Sequence, residues 1–73
     1  MTEIIQIKIV SAYITLGQFL KFAGIISYGG EAKSFLVNAK IFINGVLDNR
    51  RGRKLYPGDR VRCDQGEYQI GTS

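Results

Sequence analysis

The sequence predicts an α+β domain, two short helices packed on a small, mostly antiparallel sheet in the order β-α-α-β-β-β. Three observations carry that expectation. The first ten residues contain a partly alternating, β-branched run; two helical stripes follow within residues 15–38; and the second half of the chain is cut by two strong turn signals, Asn44-Gly45 and Pro57-Gly58. At 73 residues the chain makes one domain, 1–73, with no repeat, linker or low-complexity tract to divide it.

Residues 3–10 place Ile5, Ile7 and Ile9 on one face and Gln6 and Lys8 on the other, the pattern of a half-buried strand. Thr15 and Gln18 then have the spacing of a capping box, the hydroxyl at the N-cap and the amide at N3. Leu16, Phe19, Leu20 and Ala23 form one helical stripe, and Gly24 is placed to end the helix in a left-handed conformation. Gln18 and Lys21 fall on the opposite side. Ile25 and Ile26 are expected to plug the core between the helices.

A second helix starts at Tyr28-Gly29-Gly30, carries Ala32, Phe35 and Leu36 inward, and closes at Asn38-Ala39. Glu31 suits the positive end of its dipole. A strand at residues 40–43 meets the Asn44-Gly45 turn, from which Val46 and Leu47 return. Residues 48–54 read as a polar loop, residues 56–59 as a proline turn, and residues 60–63 and 67–70 as a hairpin around Asp64-Gln65-Gly66.

Composition removes several classes of function. One cysteine, Cys63, and no histidine leave no disulfide framework within the chain and no zinc site of the Cys/His kind. The commonest general base is missing, and the six carboxylates are scattered over separate elements. No phosphate-loop or dinucleotide glycine motif occurs. The expectation is a protein without catalytic residues, cofactor or metal. The apolar N-terminal stretch is too short and too interrupted for a signal peptide or membrane span, which reads as a cytoplasmic protein away from membranes. Nothing apolar is left over for a large interface, so a monomer is expected.

Ten Lys and Arg against six Asp and Glu give a net charge of +4. Six of the ten cations fall between positions 50 and 62, four of them as Arg50, Arg51, Arg53 and Lys54. Cations so crowded repel one another, and a phosphate backbone supplies the missing counter-charge in a form that arginine's planar fork matches. The bland reading is a solvated loop partly neutralised by Asp48 and Asp59. Lys21 and Lys33 extend a basic patch only if folding brings them beside the loop. Gly29 and Gly30 offer bare N–H groups at a helix start, an anion-binding arrangement or simple turn geometry. Tyr28 and Tyr56 flank the basic segments and are placed either to stack on bases or to pack half-buried.

Leu16, Phe19 and Leu20, then Ala32, Lys33 and Leu36, then Ile41-Phe42-Ile43-Asn44-Gly45 and Gly58-Asp59-Arg60-Val61, resemble the RNA-binding domain named after ribosomal protein S-four, the αL motif, over about residues 14–63. The N-terminal strand and the last hairpin strand flank that core. Gly29-Gly30-Glu31-Ala32-Lys33 and the run from Asn49 to Leu55 are similar to small stand-alone bacterial members associated with ribosomal or other structured RNA. Tyr28-Gly29 stands where the wider family carries Ser-Arg, so one cationic contact is absent. The resemblance implies shape-directed binding of structured RNA, ribosomal RNA above all, in ribosome assembly or quality control. Arg50, Arg51, Arg53 and Lys54 would be the main contacts, with Asn49, Lys21, Lys33, Tyr28, Gly29 and Gly30 around them.

Two other classes compete. A ubiquitin-like sulfur or protein carrier shares the small size and turns, but it needs a C-terminal Gly-Gly, and this chain ends Gly71-Thr72-Ser73. A basic protein-interaction module would use the same charges on an acidic partner. Duplex DNA binding shares the electrostatics but lacks an evident recognition helix.

Overall fold

The computed structural model describes residues 3–72, so Met1, Thr2 and Ser73 of the expected 1–73 domain lie outside the described residues. β1 (Ile4–Ile9) buries Ile9 and half-buries Ile7, while Ile5 at its outer end stays exposed. A two-residue strand, β2 (Ile14–Thr15), runs directly into α1 (Leu16–Phe22). The capping box forms as the spacing predicts. Thr15 Oγ1 accepts from the Gln18 N–H, and Gln18 Oε1 accepts from the Thr15 N–H. At the other end Gly24 takes φ +75°, and the N–H groups of Gly24 and Ile25 bond the carbonyls of Lys21 and Leu20. That pair of bonds is a Schellman closure, which satisfies carbonyls the helix cannot.

α2 (Glu31–Asn38) begins at Glu31 rather than Tyr28. The preceding residues form tight i→i+3 turns, with the N–H groups of Glu31 and Ala32 bonding the carbonyls of Tyr28 and Gly29. Next come β3 (Phe42–Ile43) and β4 (Val46–Leu47), joined by Asn44 and Gly45 at φ +53° and +85°. Both residues have positive φ, as the hairpin turn matched to strand twist requires. β5 (Lys54–Leu55), β6 (Arg60–Cys63) and β7 (Gly66–Thr72) complete the chain.

The main sheet has the order β1-β7-β6-β3-β4, antiparallel except where β1 lies parallel to β7, and β2 pairs with β5 in a separate ladder. Two helices on a mostly antiparallel sheet make the fold α+β. The expected order β-α-α-β-β-β is corrected to β-β-α-α-β-β-β-β-β. β2 and β5 escape a periodicity reading because two residues hold no period, and the Asn44-Gly45 hairpin contributes two strands of its own.

Leu16, Phe19 and Leu20 from α1 and Ala32 and Leu36 from α2 meet Ile41, Ile43, Leu55, Val61 and Ile70 in one core, with Ile26 buried between the helices. Phe19 packs edge-on to Tyr68, their ring centres 5.2 Å apart. A helix of seven residues is marginal alone in water. Burying Leu16, Phe19 and Leu20, at about 1.5–3 kcal/mol each, is what holds α1. Asp59 closes the proline turn: its Oδ2 accepts from the Tyr56 N–H and its Oδ1 from the Asn44 amide. It therefore serves the turns and not the arginines it was expected to neutralise.

Candidate nucleic-acid interface

The loop between β4 and β5 is strapped to both helices. The first N–H groups of a helix have no partner within it. Here Leu16 N–H donates to the Arg53 carbonyl at 2.8 Å and Gly17 N–H to the Arg51 carbonyl at 3.0 Å. The Thr15–Lys54 and Ile14–Leu55 pairs of the β2–β5 ladder continue the same seam. On the other flank Asn49 Oδ1 accepts from the Ile41 N–H at 3.2 Å, and the Asn49 amide donates to the Leu36 carbonyl at 3.3 Å and to that of Ala39. Asp48 N–H adds a bond to the Ile41 carbonyl. Asn49, expected as an RNA contact, faces inward and ties the loop to the end of α2.

The arginines divide into two kinds. Asp48 takes both nitrogens of the Arg50 fork, at 3.0 and 2.8 Å, and Arg53 Nε at 3.2 Å. Arg53 also donates to the Lys54 carbonyl and is only 29% exposed, so it braces the loop; Arg50, 76% exposed, keeps an outer edge in solvent. The Arg50 guanidinium beside it holds the Asp48 carboxyl at about 2 against an ordinary 3.8, with burial opposing and the Arg50 N–H and the charges of Arg50 and Arg53 assisting. A carboxyl lowered in the folded state adds stability that is complete above pH 3.8 and fades as pH falls through about 2. Urea midpoints of wild type and Asp48→Asn are therefore expected to differ at about pH 5 and to converge near about pH 2. A gap that stays constant would mean that the ionisation of Asp48 adds nothing to stability.

Arg51 and Lys54 have no carboxylate partner among the described residues. The Arg51 stem crosses Gly17 so closely that a Cβ there would come within 2.9 Å of Arg51 Cγ. Gly17 and Lys21 are four residues apart and share one row of α1, which sets Lys21 about 6 Å further along the surface that Arg51 covers. Lys54 Nζ lies 5.0 Å from the centre of the Tyr13 ring. A cation over an exposed ring gains about 0.5–1 kcal/mol. A charge-assisted hydrogen bond gains about 1.5–3 kcal/mol, so a phosphate arriving at the loop outbids the ring.

The remaining expected residues stand elsewhere. Lys33, Gly29, Gly30 and Tyr28 lie at the start of α2, whereas Asn49 ties the loop to its end. Glu31 in the first turn reaches back to accept the Ser27 N–H, so a carboxylate from the chain itself already faces the dipole that Gly29 and Gly30 were expected to offer an anion. Tyr28 is exposed, and a Cβ on Gly30 would meet its ring at 3.2 Å. Arg60 pairs with Glu67 at 3.6 Å, and Arg62 lies over Phe42. Sequence reasoning missed Tyr13 and Gly17. The alternation in Tyr13-Ile14-Thr15 and again in Lys54-Leu55-Tyr56 was the available signal for the first.

Fold and loop together define an α+β domain with a preformed cationic face on the start of its first helix. A family model described as the S4 domain matches residues 7–71, and the chain belongs to that family. The match is wider than the 14–63 core expected from resemblance, and takes in the second half of β1 and all but the last residue of β7. The chain is 51% identical over 65 residues to the probable ribosome maturation protein RlbA of Bacillus subtilis (strain 168), an alignment covering 88% of this chain and 92% of that protein. Among the described residues no helix is long and apolar enough to cross a membrane.

Proposed function

We propose that this chain is a non-catalytic, cytoplasmic RNA-binding domain that takes structured RNA, foremost ribosomal RNA, and serves ribosome maturation in a bacterial cell. The observation that carries the reading is the strapped loop. Main-chain bonds from α1 and the Asn49 amide fix its backbone, while Arg51 and Lys54 face outward with no carboxylate of the described residues to neutralise them. Cations placed before binding lose little freedom when they meet a phosphate, and arginine reads two oxygens at once. The family membership and the ribosome-maturation role for which the Bacillus relative is named support the ribosomal assignment. The protein is expected to act as a single copy.

The test is fluorescence anisotropy of a folded RNA hairpin against a DNA duplex of matched length, between about 50 and 200 mM salt, the range over which phosphate contacts weaken most. Tighter binding of the hairpin with a steep salt dependence is expected. Failure of both nucleic acids to bind at the lower salt would overturn the reading in favour of docking on an acidic protein.

A further inference from the structure

The outward face of the β2–β5 ladder carries chemistry that phosphate binding does not use. Side chains alternate across a strand, and Ile14 and Leu55 point into the core. Thr15 and Lys54 therefore point outward, and so do the residues that flank the ladder, Tyr13 and Tyr56. These two rings lie 5.6 Å apart, inclined at 48°, and are 39% and 46% exposed. Lys54 belongs to both surfaces, since its backbone forms the ladder and its ammonium lies over Tyr13. Beyond Tyr13 the surface falls into a groove of about 630 Å³ between the end of β1 and α1, walled by Val10, Tyr13 and Phe22 and edged by Gln18.

We propose that Tyr13 and Tyr56 form a stacking platform for one unpaired nucleobase of the RNA whose phosphates the arginine loop holds. Base rings are sequence-tolerant partners for tyrosine, and cations beside the rings give a nucleotide an anchor that a peptide side chain would not need. Lys54 couples the two contacts: when a phosphate draws its ammonium off Tyr13, the face of that ring opens to the base. The preferred ligand is therefore an RNA helix interrupted by a bulge, loop or junction, and not an uninterrupted duplex. This inference rests on the proposed RNA-binding function and adds what kind of RNA element is chosen.

The test compares two hairpins identical except that one carries a single unpaired 2-aminopurine nucleotide. Stacking of one base on an aromatic ring strengthens binding by roughly tenfold or more, so wild type is expected to prefer the bulged hairpin by about tenfold and to change its 2-aminopurine emission. A Tyr13→Leu/Tyr56→Leu variant is expected to bind both hairpins alike, at the wild-type affinity for the paired one, whereas Tyr13→Phe/Tyr56→Phe keeps the preference. Melting curves of both variants establish that they fold. Equal binding of the two hairpins by wild type, or a preference that survives in the leucine variant, overturns the platform while leaving phosphate binding intact. If neither hairpin binds, the RNA-binding function falls and the platform falls with it.

Discussion

Replacing Arg51 and Lys54 together by alanine is expected to weaken hairpin binding about 100-fold near 50 mM salt, since each lost charge-assisted contact removes about 1.4 kcal/mol or more. The slope of log K against log salt should flatten by about 1.5–2, the share of two phosphates. Both side chains project from a backbone fixed by its own hydrogen bonds, so the variant should melt within a few degrees of wild type. That separation of affinity from stability is why this pair is preferred to Arg53, whose guanidinium bonds Asp48 and the Lys54 carbonyl and whose loss would loosen the loop itself. Gly17→Ala provides an independent check. The added methyl displaces the Arg51 stem without touching its charge, and alanine is the better helix former. Reduced RNA affinity in a chain no less stable would tie function to where Arg51 lies. Unchanged affinity in both variants would remove the loop from the interface.

Asn49→Ala is expected to lower stability by about 3 kcal/mol, because three hydrogen bonds go and the N–H of buried Ile41 is left without its acceptor. In a domain of this size that corresponds to a fall in melting temperature of about 15 °C. Asn49→Asp should be no better at neutral pH, since a carboxylate oxygen would then face the carbonyls of Leu36 and Ala39, and it should recover in part on acidification. These outcomes separate an internal strap from a contact. If Asn49→Ala melts like wild type and fails only in RNA binding, the side chain touches RNA and the resemblance placed it correctly.

What the sequence disclosed follows the range of the forces involved. The Thr15–Gln18 cap, the Gly24 closure and the Asn44-Gly45 and Pro57-Gly58 turns are set by side chains within a few residues of each other, and each stands where its spacing put it. The helical stripes were equally legible, because burial follows a 3.6-residue period whatever lies opposite. The β2–β5 ladder, the parallel β1–β7 pair and the strap from Arg51 and Arg53 to α1 join residues distant in sequence, and no local pattern encodes them. The site shows the same division. Charge density singles out the loop, but which cations Asp48 consumes, and that Asn49 turns inward, depend on partners known only after folding.

The parallel pairing of β1 with β7 also bears on how the molecule comes into being. Ile4 lies opposite Glu67, and Ile9 opposite Thr72. During synthesis β7, the sheet neighbour of β1 among the described residues, follows it by about 60 residues, which at roughly 5–20 residues per second is a delay of about 3–12 s. Closing so long a loop costs little extra at equilibrium but slows the search for it. For those seconds Ile4, Ile5, Ile7 and Ile9 lack the strand they pair with in the folded domain. The main sheet therefore cannot close on β1 until β7 has been made, and until then that strand is the part of the fold most open to misassembly.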